Sequence, residues 1–322
     1  MTRTDRLLTE LADGVPHSGE ALGQALGVTR AAVWKLIRQL QDDSVPVFSE
    51  PGKGYRLQHP VELLEADAIR AATGERGAAM LERISVERVV DSTNRRLFEA
   101  SSSEALPQAL FAEAQSAGRG RRGRDWHSPF GRNLYMSIAW PFSDVPGGLG
   151  GLSLAVGLAV ADVLASYDAR GLGLKWPNDL LIDGDKLGGI LVELQGEPAG
   201  PCTAVVGLGL NLFPDDTDTI DQPWTALAEH VARWPGRNVI AGQVLGGAVE
   251  ALARFGDQGF PGFLDQWPRH DILAGRRVRL FAGNRVVDGT AAGVDQTGCL
   301  LLERDGGVEP WSAGEVSLRP VQ

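Results

Sequence analysis

The stretch LKWPNDLLIDGDKLGGILVEL, residues 174–194, leaves the chain around it few ways to fold. Pro177 disfavours helical geometry at Trp176 and lacks an N–H, so no helix passes through this point. Lys175 and Asp179 therefore bracket a Trp-Pro-Asn turn. The apolar runs on either side of Asp183-Gly184 then read as strand, tight turn and strand, with Lys186 just past the turn. RNLYMSIAW (132–140) alternates as a further strand, with Leu134, Met136 and Ile138 on one face. VVGLGLNL (205–212) is an apolar strand ending at Asn211. Its Gly207 and Gly209 allow a ring or ribose to lie against the backbone, or a neighbouring strand to pack closely. LSLAVGLAVADVL (152–164) places Leu152, Ala155, Val156, Ala159, Val160, Val163 and Leu164 at helical spacing, a core stripe. The centre of the chain is thus mixed α/β.

The first sixty residues form a separate pattern. RTDRLLTELADG reads as a short helix closed by Gly14. A second helix starts near Ser18 and ends at Gly27. A third begins at an N-cap, Thr29, with Val33, Leu36, Ile37 and Leu40 as its buried stripe. Arg30, Lys35 and Arg38 lie off that stripe. VPVFSEPGKGYRL adds two short strands around Pro51-Gly52-Lys53-Gly54. Together these make a winged helix-turn-helix. Residues 1–60 carry seven Lys/Arg and seven Asp/Glu. Any attraction to DNA must therefore come from where the cations cluster, on the third helix and the wing.

The segment GRGRRGRDW (118–126) sets Arg119, Arg121, Arg122 and Arg124 side by side in a chain of net charge −10. Its letters match a dinucleotide fingerprint, but no helix opens after it: Pro129 and Gly131 follow instead. Glycines admit close backbone approach, and guanidinium forks match carboxylate and phosphate oxygens. The segment reads as an anion clamp, disordered until an anion relieves the mutual repulsion. Asp91–Asn94 (DSTN) offers short polar side chains suited to a small polar head group, and also an N-cap.

Composition narrows the class. The 322 residues are 43% hydrophobic, enough for real cores and two or three domains. The two cysteines, Cys202 and Cys299, make neither a disulfide framework nor a CxxC pair, and the five histidines have no ligand spacing, so no protein metal site is expected. The N-terminal residues are charged and lack the apolar core of a signal peptide. Residues 151–167, the most apolar run, are interrupted by Asp162 and too short to span a bilayer. A soluble cytoplasmic protein is expected. The last fifty residues carry short strands between turns at 282–284, 296–298 and 305–307, which suggests a small antiparallel barrel.

HSGEALGQALGVTRAAVWK, VFSEPGKGYRL, DSTN, QSAGRGRRGRDWHSPFGRNLYMS, KWPNDL, KLGGILVEL, GLGLN and EPWSAGEVSLR together resemble the biotin–protein ligases, closely the bifunctional kind that also represses the biotin operon. The resemblance covers nearly the whole chain. It implies an α+β protein of three domains: a winged helix-turn-helix (1–63), a mixed α/β catalytic domain (64–273) and an SH3-like β-barrel (274–322).

It also implies a reaction. Biotin and ATP, with Mg²⁺, give biotinyl-5′-adenylate and pyrophosphate. The biotinyl group then passes to a lysine of the biotin carboxyl carrier protein of acetyl-CoA carboxylase. By the same resemblance Ser92, Thr93, Asn94 and Gln115 hold the ureido ring, and Gly118, Arg119, Gly120 and Arg121 close over the ligand. Lys186 contacts carboxylate and phosphate, while Lys175, Asp179 and Asn211 line the nucleotide side. Gly189, Gly207 and Gly209 complete the ligand-binding set. Trp126 covers the adenine or closes the loop, and Asp179 helps deprotonate the acceptor lysine. Lys186, Arg119, Arg121 and Asp179 form the catalytic set. Arg30, Lys35, Arg38 and Lys53 face operator DNA, bound by a homodimer that forms with the adenylate.

The sequence departs from the family at three places. Ala114 and Ser116 replace larger residues. Asp125 stands where a basic residue is common. Trp34 occupies a third-helix position expected to be smaller and polar. Three alternatives stay open: a ligase whose N-terminal domain binds no DNA, a ligand-binding transcription factor without catalysis, and a lipoate ligase of the same catalytic fold.

Overall fold

The computed structural model describes residues 2–196, 201–215, 220–282, 285–312 and 316–320. The N-terminal unit holds α1 (Arg3–Leu11), α2 (Gly19–Leu26), α3 (Arg30–Asp42) and a hairpin of β1 (Val47–Glu50) and β2 (Gly54–Leu57). Ser18 caps α2 through Ala21 N at 3.1 Å, and Gly27 ends it at φ +64°. Thr29 caps α3 through Ala32 N at 3.2 Å. Val33, Ile37 and Leu40 join Leu7, Leu11 and Leu22 in one core, with Leu36 half-buried at its edge.

The central unit contains α4 (Ala66–Ala72), α5 (Glu75–Ala79), β3 (Arg83–Val90), α6 (Thr93–Ala100), β4 (Gln108–Gln115) and β5 (Leu134–Phe142). It continues with α7 (Leu152–Ala165), β6 (Leu172–Lys175), β7 (Asp179–Ile182), β8 (Asp185–Gly196), β9 (Cys202–Leu210) and α8 (Arg237–Gln258). Its seven strands run in the order β3-β4-β5-β9-β8-β7-β6. Only β3 and β4 pair in parallel, and every other neighbouring pair is antiparallel. The antiparallel β6–β7–β8 run follows from the Trp-Pro-Asn and Asp-Gly turns. Helix α6 packs on β4, β5, β8 and β9, whereas α7 packs against α8 and against β6, β7 and β8.

Helix α7 is buried more evenly than a single stripe allows. Leu154, Leu158 and Ala161 are buried beside the expected residues, while Ala159 and Val163 are only half-buried. The helix lies between the sheet and α8 and so is apolar on two sides. The helix nearest to membrane-spanning length is α8, with 22 residues, rather than α7. Its apolar residues, among them Ile240, Val244, Leu245, Leu252 and Phe255, are fully buried in the domain core.

The C-terminal unit is a five-stranded antiparallel sheet of β10 (Arg277–Ala282), β11 (Arg285–Val294), β12 (Leu300–Arg304), β13 (Gly307–Trp311) and β14 (Val316–Pro320). Its order is β13-β12-β11-β10-β14. Trp176 Nε1 donates to Gly298 O at 3.1 Å, fastening this sheet to the turn before β7.

The winged unit is fastened to the catalytic sheet. Arg88 on β3 pairs with Asp43 at 3.3 Å and with Asp5 at 3.7 Å. Arg237, fully buried at the start of α8, pairs with buried Glu113 and donates to Glu62 O at 3.0 Å and Asn133 O at 2.8 Å. The other Glu113 oxygen accepts from Leu64 N at 2.6 Å. Residues 62–64 of the linker are thereby tied into the catalytic core two positions from Gln115.

Candidate active site and DNA-facing surface

The register of the sheet builds the site. Ser137 of β5 lies opposite Gly207 of β9, and Gly207 lies opposite Leu191 of β8. Helix α6 starts above this point, with Ser92 as its N-cap, and buries Thr93 and Asn94. A Cβ on Gly207 would sit 2.2 Å from Asn94 Oδ1, so only glycine leaves room for that amide. Ser137 Oγ lies 2.7 Å from both Thr93 Oγ1 and Asn94 Oδ1. Gln115 Oε1 accepts from Thr93 N at 2.9 Å, and its amide donates to Ser128 Oγ at 3.0 Å. Asn94 Nδ2 donates to Glu193 Oε2 at 2.9 Å, and Arg119 Nη2 donates to the same oxygen at 3.2 Å. Short polar side chains thus gather in a buried, mutually hydrogen-bonded cluster over Gly207, with one loop arginine at its edge.

Two residues further along β9, on the same face, Gly209 repeats the device. A Cβ there would lie 2.3 Å from the Trp126 indole. Residues two apart on a strand are separated by roughly 7 Å. The indole therefore stands beside the polar cluster, packed on Gly209, and a Gly189 Cβ would lie 3.3 Å from its edge. Trp126 Nε1 is buried and has no hydrogen-bond partner among the described residues. Lys186 Nζ lies 5.4 Å from the ring centroid and 2.8 Å from Asp179 Oδ1. On the β7–β8 ladder Asp179 lies opposite Gly189 and Lys186 opposite Leu181, so the two side chains meet diagonally across it, both largely buried.

The arginine segment is folded, contrary to the expected disorder. Arg119 and Asp125 pair through their backbones in an isolated antiparallel β-bridge, Gly120 N donates to Arg124 O at 2.7 Å, and Arg122 turns the chain at φ +60°. The sheet supplies polar partners that reduce the repulsion: Glu193 for Arg119, and Asn178 Oδ1 at 3.3 Å for Arg121. Arg122 and Arg124 remain exposed. Gly118 lets the loop's two ends meet, since a Cβ would sit 2.6 Å from Trp126 O. Burial pushes the Arg121 guanidinium below its usual pKa; the Asp179 carboxylate opposes this, and the neighbouring Arg122 charge adds to it. A half-buried cation of this kind is stabilised by an incoming anion.

Asn211, expected on the nucleotide side, lies buried just past the end of β9. Its amide donates to Lys186 O and Thr225 O, both at 3.3 Å, so it fastens the Lys186 strand to the following segment. Lys175 pairs in register with Asp179 at the far side of the hairpin. Ser137 and Glu193, central to the cluster, are absent from the sequence-based set. The Glu193 signal was its place two residues beyond Leu191 on a glycine-rich strand.

On the winged unit Arg30, Lys35 and Arg38 are all exposed along α3. Lys53 is 70% exposed on the wing but pairs with Glu50 at 3.2 Å, and Glu50 also pairs with Arg56. The wing is therefore less cationic than its sequence suggests.

Residues 86–211 match the biotin/lipoate A/B protein ligase family, residues 3–56 an HTH domain, and residues 274–319 the biotin protein ligase C-terminal domain. The bifunctional ligase/repressor BirA of Salmonella typhimurium is 41% identical over 318 residues, covering 98% of this chain and 97% of that protein. The chain belongs to the biotin protein ligase family. A match of that extent necessarily includes the winged unit. The biotin–acetyl-CoA-carboxylase ligase of Mycobacterium tuberculosis is 34% identical over 270 residues, 81% of this chain and 97% of that one. Among solved structures, the biotin protein ligase from Aquifex aeolicus in complex with biotin and ATP superposes with a TM-score of 0.65 at 29% identity, covering 75% of this chain and all of that one.

Proposed function

We propose that this enzyme activates biotin with ATP at the β9 glycine site, transfers it to a carrier-protein lysine, and represses transcription through its winged helix. The observation that carries the ligase reading is the pairing on one strand face of a polar cluster at Gly207 and an aromatic shelf at Gly209. The cluster suits a ureido ring, with Thr93, Asn94, Gln115 and Ser137 offering donors and acceptors. Ser92 supports it as the cap of α6. The shelf, with its unpaired indole N–H, suits the adenylate beside it. Both substrates therefore fit the residues present.

The first step joins a biotin carboxylate oxygen to the α-phosphorus and expels pyrophosphate. Lys186, with Arg119 and Arg121, would neutralise charge developing on the phosphoryl oxygens. The folded 118–126 segment would keep water from the mixed anhydride. In the second step the acceptor lysine amine attacks the acyl carbon and AMP leaves. Asp179 would take the amine proton, a general-base role. Mg²⁺ would arrive on the nucleotide phosphates, which supply most of its ligands in such sites. Among the described residues no three His, Cys, Asp or Glu side chains gather into a metal-sized group.

The acceptor in this reading is the biotin carboxyl carrier protein of acetyl-CoA carboxylase, and the setting is the cytoplasm. Adenylate-bound enzyme would form a homodimer through the ordered loop, presenting two winged units to operator DNA. By linkage, the DNA then tightens adenylate binding in turn. Incubation with biotin, ATP and a carrier domain should add one biotinyl mass to that domain. Lipoate in excess should not compete, and an unlabelled carrier would reject the reading.

A further inference from the structure

The third helix carries a feature that the fold does not use. Trp34 is 51% exposed, whereas Val33, Ile37 and Leu40 on the same helix are at most 2% exposed. The winged unit's core is closed without it. Ala31, Trp34, Lys35 and Arg38 share the outward face of α3, one turn apart along it, and all are exposed. The Arg38 guanidinium lies 5.4 Å from the Trp34 ring centroid, which holds the indole in place from one side. With Arg30, this face has three cations, and its first carboxylate is Asp42 at the helix end. A local excess of three positive charges in a chain of net charge −10 is complementary to a polyanion.

We propose that Trp34 is a base-reading residue of this winged helix, laid against thymine 5-methyl groups in the major groove. The assignment rests on the repressor reading above. An α-helix enters a groove about 12 Å wide, and its outward side chains meet base edges there. Indole offers two apolar faces, a single N–H donor and no acceptor. It cannot make the bidentate contacts that select guanine or adenine. It can select the one apolar group displayed in the major groove, the thymine methyl. Arg30, Lys35 and Arg38 are then left to phosphates and guanine edges, and Ala31 clears the groove one turn earlier.

The test uses full-length protein with biotin and ATP. Duplexes are first selected from a random-sequence DNA library with the wild-type chain. Their thymines are then replaced one position at a time by deoxyuridine, which removes only the methyl group. At one position in each half-site, deoxyuridine should weaken wild-type binding about ten-fold. Trp34→Ala should weaken the unmodified duplex by a similar factor, and it should be indifferent to deoxyuridine at that position. Trp34→Phe should recover part of the loss. The slope of log affinity against log salt should stay unchanged in Trp34→Ala and fall by about one in Arg38→Ala.

Trp34→Ala binding with wild-type affinity, or retaining its full sensitivity to deoxyuridine, overturns the assignment while leaving the repressor reading intact. A wild-type chain that selects no sequence removes both. If sedimentation without DNA shows that Trp34→Ala abolishes self-association, the face joins copies of this chain, and the proposal is wrong.

Discussion

Lys186 Nζ and Asp179 Oδ1 lie 2.8 Å apart on adjacent strands, with side chains 16% and 19% exposed. In the proposed reaction this pair would join the two chemical steps at one point. Lys186 would face the phosphoryl group to be attacked, and Asp179, which pairs with that ammonium, would take the proton of the arriving amine. Asparagine at 179 would still accept the Lys186 hydrogen bond but could not take a proton. Asp179→Asn should therefore slow transfer to the carrier by about 10²–10⁴-fold. Biotin-dependent ATP–pyrophosphate exchange, which reads the first step alone, should fall far less. Equal losses in both assays would assign Asp179 to positioning only.

Lys186→Gln should act on the other half of the reaction. Removing one preorganised charge from a phosphoryl transition state costs about 10²–10³ in rate. The loss should appear in pyrophosphate exchange. Transfer from preformed biotinyl adenylate should be affected much less.

Gly209→Ala places a methyl group 2.3 Å from the Trp126 indole, in a site with sheet backbone on its other side. Overpacking of this kind costs about 1–3 kcal/mol. The indole must lift, taking the loop with it. Stopped-flow tryptophan fluorescence on mixing with biotin and ATP should show a smaller or absent change, and the thermal midpoint should fall by a few degrees.

These site glycines also show what was legible from sequence alone. The caps at Ser18, Gly27 and Thr29, and the turns at Trp-Pro-Asn and Asp-Gly, are local devices, and local sequence specifies them. Gly207 and Gly209 could be read as places of close approach, but not what approaches them. That depends on strand register, which sets Ser137 opposite Gly207 and brings α6 over it. Ser137 and Glu193 were missed for this reason: they are far apart in sequence, and the β5–β9–β8 register brings both to Asn94 of α6. The order of the arginine segment was misjudged for a related reason. Its partners Glu193 and Asn178 belong to strands and turns distant in sequence, so repulsion was visible and its relief was not. The even burial of α7 depends on α8 and on the sheet, which its own periodicity cannot report.

Glu113 and Arg237 form a pair buried at 2% and 0% exposure between the linker and the catalytic core. Removing one member of such a pair strands the other charge, at a cost of about 3–5 kcal/mol. Glu113→Ala should lower the urea unfolding free energy by that amount. Glu113→Leu combined with Arg237→Met should recover much of it.

Glu62 gives a pH signature at the same junction. Burial alone would raise its pKa. Hydrogen bonds from Arg237 N–H, Asn238 N–H and the Asn238 amide, with the Arg237 charge, outweigh burial and hold it below the usual 4.5. Because the folded pKa is depressed, the unfolded chain binds the proton more readily. The resulting stability is complete above the unfolded value of 4.5 and is lost as pH falls through the folded value. Denaturation curves of wild type and Glu62→Gln should therefore differ above pH 5 and converge in acid.

The most direct test of the account is the rate at which radiolabelled biotinyl adenylate leaves the enzyme. Arg121 is half-buried against Asn178 and Asp179, and an anion would stabilise it there. Filter binding should show slow release from the wild type and release about ten-fold or more faster from Arg121→Ala, a loss of one charge-assisted contact. Identical release from both proteins would contradict the claim that the folded arginine segment holds the adenylate.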